Sequence, residues 1–212
     1  MLEQLKSSPI VPVFFHPDLA YSQQIVSACY GGGLRFFEFT NRGKEAFEVF
    51  AGLKKWAANH CPGLSLGIGT IYTPDEAQRF MDAGADFVVQ PVTTAAVGAL
   101  CQAQGKPWLP GAMTLNEVWA AWQLGATAVK IFPGNLVGPE YIRALRGPMP
   151  QVPLMVTGGV EPTPESVRQW LNAGVQAVGI GSQLFKGDFS DDYGGLARRI
   201  AGLLEGTRND EV

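Results

Sequence analysis

Lys130 lies inside an apolar, β-prone run, Ala128-Val129-Lys130-Ile131-Phe132, in a chain of 212 residues. Strand alternation puts its side chain on the same side as Ala128 and Phe132. Where that side is a protein interior, burial disfavours the charged ammonium and leaves a nucleophilic amine. A lysine snorkelling out of a strand end is the competing explanation, and the apolar neighbours weigh against it. Glu38 has a parallel setting, Phe36-Phe37-Glu38-Phe39. A buried structural ion pair is a poor source of stability, because desolvation offsets the attraction. An amine and a carboxylate facing each other suit a nucleophile and its proton shuttle better.

Further polar residues fall at the ends of other apolar runs. Arg42 and Thr70 are candidates for binding a substrate carboxylate, the arginine by bidentate pairing. Gly158-Gly159 and Gly181-Ser182 follow the last two strand-like runs. Glycines there let backbone N–H groups approach an anion, and two such pairs on adjacent strands point to phosphate. Gly67-Ile68-Gly69 lacks the third glycine and following helix of a dinucleotide fingerprint. His16 lies at the mouth of the site and is expected to be hydrogen-bonded there. Asp188, Asp191 and Asp192 fit a helix cap better than a metal site. The five tryptophans sit mostly at core spacing and are expected to pack.

The elements that position these groups are written in 26 glycines and 15 prolines. The pattern Ile25, Ala28, Cys29, Gly32 recurs as Ala77, Phe80, Met81, Gly84. It appears again as Val118, Ala121, Trp122, Gly125 and as Val167, Trp170, Leu171, Gly174. Each set places apolar residues on one helical face and ends in a glycine suited to a left-handed helix terminus. A β-prone run follows each: Leu34 to Phe39, Phe87 to Val89, Ala128 to Phe132, Ala177 to Ile180. A second series of strands is entered through Pro12, Pro62, Pro107 and Pro153. Thr73 to Glu76 and Thr114 to Glu117 read as capping boxes, and Thr163-Pro164-Glu165 as a third helix start. Eight strands alternating with helices predict a single-domain (β/α)8 barrel spanning 1–212. Residues 1–8 form a short cap at its bottom, a last helix carries Leu196, Ile200, Leu203 and Leu204, and 206–212 form a polar tail. Alternation alone also permits a doubly wound sheet; the eight-count with a two-strand repeat favours closure. Glu38 then lies on the second strand and Lys130 on the sixth, able to share an interior layer.

Composition excludes other classes. The net charge of −3 provides no basic field for nucleic acid. No apolar run is long enough for a membrane span or signal peptide. The three cysteines lack a CxxC and read as free thiols in a reducing, cytoplasmic setting. With two histidines a His-rich metal site is not expected.

Four motifs resemble the family of 2-keto-3-deoxy-6-phosphogluconate/4-hydroxy-2-oxoglutarate aldolases, class I enzymes on a small (β/α)8 barrel. They are Glu38-Phe39-Thr40-Asn41-Arg42, Gly67-Ile68-Gly69-Thr70, Lys130-Ile131-Phe132-Pro133 and Thr157-Gly158-Gly159. The likeness spans roughly residues 8–185. It implies that Lys130 forms a Schiff base, that Glu38 is the general acid/base, and that Arg42 and Thr70 hold the pyruvyl carboxylate. It implies further that Pro91, Phe132 and Thr157 wall the carbon chain, and that Gly158, Gly159, Gly181 and Ser182 hold phosphate or the distal end. The substrate would be a small, phosphorylated keto acid, with no cofactor, and the assembly a homotrimer. A glyoxylate-forming or a phosphogalactonate-specific version stands as the alternative within the family. Another phosphate-binding barrel enzyme, or a barrel that only binds, stands outside it. Gly134 replaces the more usual Ala after the lysine motif, Gln90-Pro91-Val92 replaces Ser-Pro-Gly, and Phe15, His16, Asn41 and Gly43 also depart, all around the mouth.

Overall fold

The computed structural model describes residues 1–186 and 192–208. All strand pairs in it are parallel and form one ring-like sheet. In chain order the strands are β1 (Ile10–Phe14), β2 (Phe36–Thr40), β3 (Ser65–Gly69), β4 (Val88–Val89), β5 (Trp108–Leu109), β6 (Gly111–Ala112), β7 (Val129–Ile131), β8 (Leu154–Thr157) and β9 (Ala177–Ile180). Nine segments replace the eight expected because Pro110 splits the fifth strand. Proline has no N–H to give the ladder. Its lower half, β5, pairs with β4, and its upper half, β6, pairs with β7. The ring closes across that break, since Gln90 N donates to Leu109 O and Lys130 N donates to Pro110 O.

Helices wrap this ring: α1 (Leu2–Ser7), α2 (Leu19–Gly31), α3 (Ala46–His60), α4 (Pro74–Asp82), α5 (Ala95–Ala103), α6 (Leu115–Gln123), α7 (Gly134–Arg146), α8 (Pro164–Ala173) and α9 (Tyr193–Arg208). The capping boxes at Thr73–Glu76 and Thr114–Glu117 are both formed, and Thr163 caps α8 with Pro164 following. Asp192 caps α9 by accepting from Gly195 N at 2.8 Å, while Asp188 and Asp191 lie outside the described residues. Helix α9 runs to Arg208, three residues into the expected tail, and 209–212 lie outside the described residues.

Two proline and glycine assignments change. Pro12 lies in the middle of β1, aligned with Ile180, and the proline that precedes the strand is Pro9. The left-handed residue after α2 is Gly33 (φ 102°), not Gly32 (φ −74°). Gly32 is needed for a different reason: a Cβ there would sit 2.7 Å from Ala197 O and against Ile200, so it admits α9 to close packing. At the other three repeats, Gly84, Gly125 and Gly174 take the left-handed conformation.

Alternation along the strands sorts two cores. Ile10, Phe37, Phe39, Val129, Ile131, Val156 and Ile180 face outward and pack under the helices. Val11, Phe36, Phe87, Leu109, Ala128, Met155 and Ala177 face inward and fill the barrel floor, with Leu5 of α1 closing it from below. Phe36 and Phe87 meet edge to face, 6.2 Å between centroids. Gly67 belongs to this layer, because a Cβ there would run into the Phe87 ring. Trp108 and Trp170 are buried, whereas Trp119 on α6 is exposed and departs from the packing role expected of it.

The α6 capping box carries a pH dependence. Backbone N–H groups of Met113 and Thr114, together with the Thr114 hydroxyl, hold the Glu117 carboxyl below its ordinary 4.5. A carboxyl lowered in the folded state stabilises above its unfolded pKa, and that contribution disappears as pH falls through the folded one. Glu117→Gln is therefore expected to be less stable than the parent at pH 7. In urea titrations the gap should close as pH falls below about 4.5.

Candidate active site

The inward residues two steps above the floor are Glu38 on β2 and Lys130 on β7. Phe36 and Ala128 lie below them, so the next inward position on each strand enters the layer above. Lys130 Nζ lies 3.3 Å from Glu38 Oε1 and 3.4 Å from Oε2. Their side chains are 7% and 1% exposed, which excludes a snorkelling lysine. Space for the carboxylate comes from Gly69 on the neighbouring β3, where a Cβ would overlap Glu38 Oε1. Lys130 Nζ also stands 5.6 Å from the centre of the Phe132 ring.

Arg42 and Thr70 leave adjacent strands at the same rim. Asn41 N donates to Gly69 O at 2.9 Å, which ties the exit of β2 to the exit of β3. The Arg42 side chain is exposed and has no ion pair or hydrogen bond with other described residues. Thr70 has φ 62°, and among the described residues it alone is left-handed without being glycine. A β-branched residue in that region carries strain of about 1–3 kcal/mol, held only where neighbours over-determine it. The strained threonine thus sits at the rim directly after the glycine that clears Glu38.

Two cavities open among residues at the strand exits. One, about 200 Å³, is lined by Gly158, Gly159, Val160, Gly179, Gly181, Ser182 and Gln183. Gly158 (φ 91°) and Gly159 (φ 74°) turn the chain there in a way side-chain-bearing residues resist. They pack tightly on the start of α7, since a Cβ on Gly159 would lie 2.7 Å from Asn135 Cα. Gly134 is equally constrained, with Gly158 O and Val156 Cγ2 both 2.5 Å from where its Cβ would be. The glycine in place of the usual alanine is thereby required by this packing. Thr157, at the inner edge, is 8% exposed and its Oγ1 has no hydrogen-bond partner among the described residues. Gly179 makes room for that hydroxyl. A buried, unpaired hydroxyl beside a cavity is suited to a bound ligand or water.

The second cavity, about 250 Å³, has Pro91 and Phe132 in its wall, with Gly111, Ala112, Met113 and Glu117. Pro91 and Phe132 therefore line one cavity, and Thr157 adjoins the other through Gly179. Glu117 at this rim was legible in the sequence only as a cap. Gln90 does not line the mouth. It is buried behind β4, where its amide bonds Ile71, Thr94 and Trp108. His16 Nδ1 accepts from Asp18 N at 3.1 Å and its ring lies 4.4 Å from Tyr21. Phe15 covers Gly43 beside Arg42, which explains the missing side chain at 43.

Among the described residues no group of three or more His, Cys, Asp or Glu side chains is placed to share a metal ion. The arrangement supplies a buried amine, a carboxylate within proton-transfer distance, a free guanidinium at the rim and a glycine-lined recess. Those are the parts for imine chemistry on a carbonyl compound that also carries an anion.

The comparisons with known proteins point the same way. The profile of the family described as KDPG and KHG aldolase matches residues 1–198. The chain is 32% identical over 161 residues to the 2-dehydro-3-deoxy-phosphogluconate aldolase of Treponema pallidum (strain Nichols), covering 76% of this chain and 75% of that protein. It is 34% identical over 122 residues to the 2-dehydro-3-deoxy-6-phosphogalactonate aldolase of Escherichia coli (strain K12), covering 57% and 58% respectively. Among solved structures it resembles the 2-keto-3-deoxy-6-phosphogluconate aldolase of Zymomonas mobilis ZM4 with 3-phosphoglycerate. The TM-score is 0.79 at 27% identity, covering 95% of each chain.

The two opposite charges stabilise each other only as a pair. Lys130→Met is expected to destabilise the fold by about 3–5 kcal/mol by leaving Glu38 buried alone. Adding Glu38→Gln should recover most of that loss in urea denaturation.

Proposed function

This chain belongs to the KDPG and KHG aldolase family, and from that premise we propose that it cleaves a 2-keto-3-deoxy-6-phospho sugar acid to pyruvate and glyceraldehyde 3-phosphate. The buried Lys130–Glu38 contact carries this reading. Glu38 is near enough to take the ammonium proton of Lys130, freeing the amine to attack the C2 ketone. Glu38 returns that proton to the C2 hydroxyl of the resulting carbinolamine, which departs as water and leaves Glu38 again a carboxylate. The product is a protonated Schiff base, an electron sink for the electron pair of the C3–C4 bond. That bond breaks as Glu38, directly or through a water, removes the C4 hydroxyl proton, and the aldehyde departs. Glu38 returns the proton to C3 of the enamine, and water hydrolyses the imine to release pyruvate. The C3–C4 electron pair passes into the enamine on cleavage and then into the new C3–H bond, so the steps balance without a redox partner.

The substrate's two ends divide over the rim. Arg42 and Thr70 take the C1 carboxylate, an assignment supported by the unpaired guanidinium and by strain at Thr70. Pro91 and Phe132 wall the chain on one side and Thr157 on the other. Gly158, Gly159, Gly181 and Ser182 hold the phosphate in the glycine-lined recess. Cleavage of a short keto acid to pyruvate and glyoxylate is the second reading; it needs no distal phosphate and leaves that recess unused. The phosphogalactonate-specific version is kept alive by the E. coli relative.

Self-association, a trimer by family resemblance, is supported by the exposed side chains of Val92, Met113, Leu115 and Trp119, apolar groups gathered near the second cavity. No helix among the described residues is long and apolar enough to cross a membrane. Three buried free thiols support a cytoplasmic location. Burial pushes the Cys29 thiol far up and Cys101 up to about 11, so neither is a competing nucleophile.

Borohydride reduction in the presence of pyruvate, followed by peptide mass spectrometry, is expected to place one adduct on Lys130. An adduct elsewhere, or none, overturns the assignment. Glu38→Gln should still form the adduct while losing roughly 10²- to 10⁴-fold in turnover. For the distal recess, cleavage rates for the phosphorylated and unphosphorylated six-carbon keto acids are compared. The phosphorylated compound should show the higher kcat/KM, and equal values would remove phosphate from the site.

A further inference from the structure

Thr70 holds a conformation that threonine resists, and its own segment does not fully account for it. Below it, Gly69 O is tied to Asn41 N. Beyond it, Glu76 Oε2 accepts from the backbone N–H groups of Tyr72 and Thr73. Between these ties lies Ile71, whose carbonyl faces into the protein and is met by a side chain from another strand. That side chain is Gln90, fully buried at the end of β4. Its Nε2 donates to Ile71 O at 3.1 Å and to Thr94 Oγ1 at 2.8 Å, and its Oε1 accepts from Trp108 Nε1 at 2.9 Å. The amide orientation follows from its partners, because indole can only donate and a carbonyl can only accept.

We propose that Gln90 is a positioning residue for substrate binding: its bond to the Ile71 carbonyl holds Thr70 in the left-handed conformation that presents it to the substrate carboxylate. This rests on the reading above in which Arg42 and Thr70 bind that carboxylate. The bond joins the exit loop of β3 to the exit of β4, two segments whose relative placement sets the rim. Thr94 and Trp108 fix the amide, and the amide fixes Ile71. A carboxylate held by Arg42 alone keeps its charge partner but loses the second point that orients the keto carbon toward Lys130. Loss of the tether therefore weakens binding of the keto acid more than it slows the chemistry.

The test uses the full chain and pyruvate itself, with borohydride trapping at a range of pyruvate concentrations. Gln90→Met keeps the volume and removes every amide bond. Its half-saturating pyruvate concentration is expected to rise at least about tenfold, with the maximal trapping rate within about twofold of the parent. Thr94→Val removes one bond of the same nitrogen but leaves the Ile71 tether. It should raise half-saturation by less than Gln90→Met does, and an equal or larger rise counts against the Ile71 tether as the element that matters. In a Thr70→Ala background the Gln90→Met shift should disappear, because both changes remove the same contact. Should Gln90→Met fail to fold, Gln90→Asn, one methylene shorter, withdraws the amide nitrogen from Ile71 O and should show the same shift. An unchanged half-saturation in the folded variant, or shifts that add in the Thr70→Ala background, overturns the proposal. A parent chain that traps no pyruvate on Lys130 overturns the aldolase reading, and this one with it.

Discussion

Two opposite charges lie inside a barrel of apolar side chains, and the architecture of the site follows from keeping them there. An isolated buried ammonium or carboxylate is strongly disfavoured, whereas a close pair is tolerated. The 3.3 Å contact between Lys130 and Glu38 therefore constrains the strands that carry them. The floor of Phe36, Phe87, Ala128 and Met155 closes the pair off from below. Gly69 cannot carry a side chain, because Glu38 already occupies that space. Val129 and Ile131 on one strand, and Phe37 and Phe39 on the other, face the helices, so alternation leaves only the inward positions for the charges.

Small residues shape the rest of the mouth. The glycine-lined recess beside β8 and β9 offers backbone and a single unpaired hydroxyl, a surface suited to an anion rather than to an apolar group. The other cavity, walled by Pro91 and Phe132, is closed by firmer side chains. The two cavities thus present different surfaces, one mainly of backbone and one of side chains.

Much of the fold was legible because its signals are local. Helical periodicity, capping boxes and glycine terminators each act within a few residues, and the repeats appear where they were expected. Misreadings arose where a residue answered to something far along the chain. Gly32 is small to admit α9, not to reverse the backbone, and Gly33 performs the reversal. Pro110 has no N–H for the ladder and divides a strand, and only closure of the ring shows that the two halves pair with different neighbours. At the site, Lys130 and Glu38 stood out as polar residues in apolar strands. Gln90 did not, since its meaning lies in Ile71, Thr94 and Trp108, residues of separate loops and strands. The strain at Thr70 and the lone hydroxyl of Thr157 leave no trace in composition or spacing at all.

The sequence by itself determined the alternation of strand and helix, which residues of a strand share a side, and the types of group available for chemistry. Period and propensity are properties of neighbouring residues, so they survive without a fold. The tertiary structure alone decided that residues 92 positions apart would meet at hydrogen-bonding distance. It also decided which glycines yield space and which bend the chain, and which polar groups stay unpaired beside a cavity. Closure of the ring sets all of these together, because the position of each strand around the barrel depends on every other strand being in place.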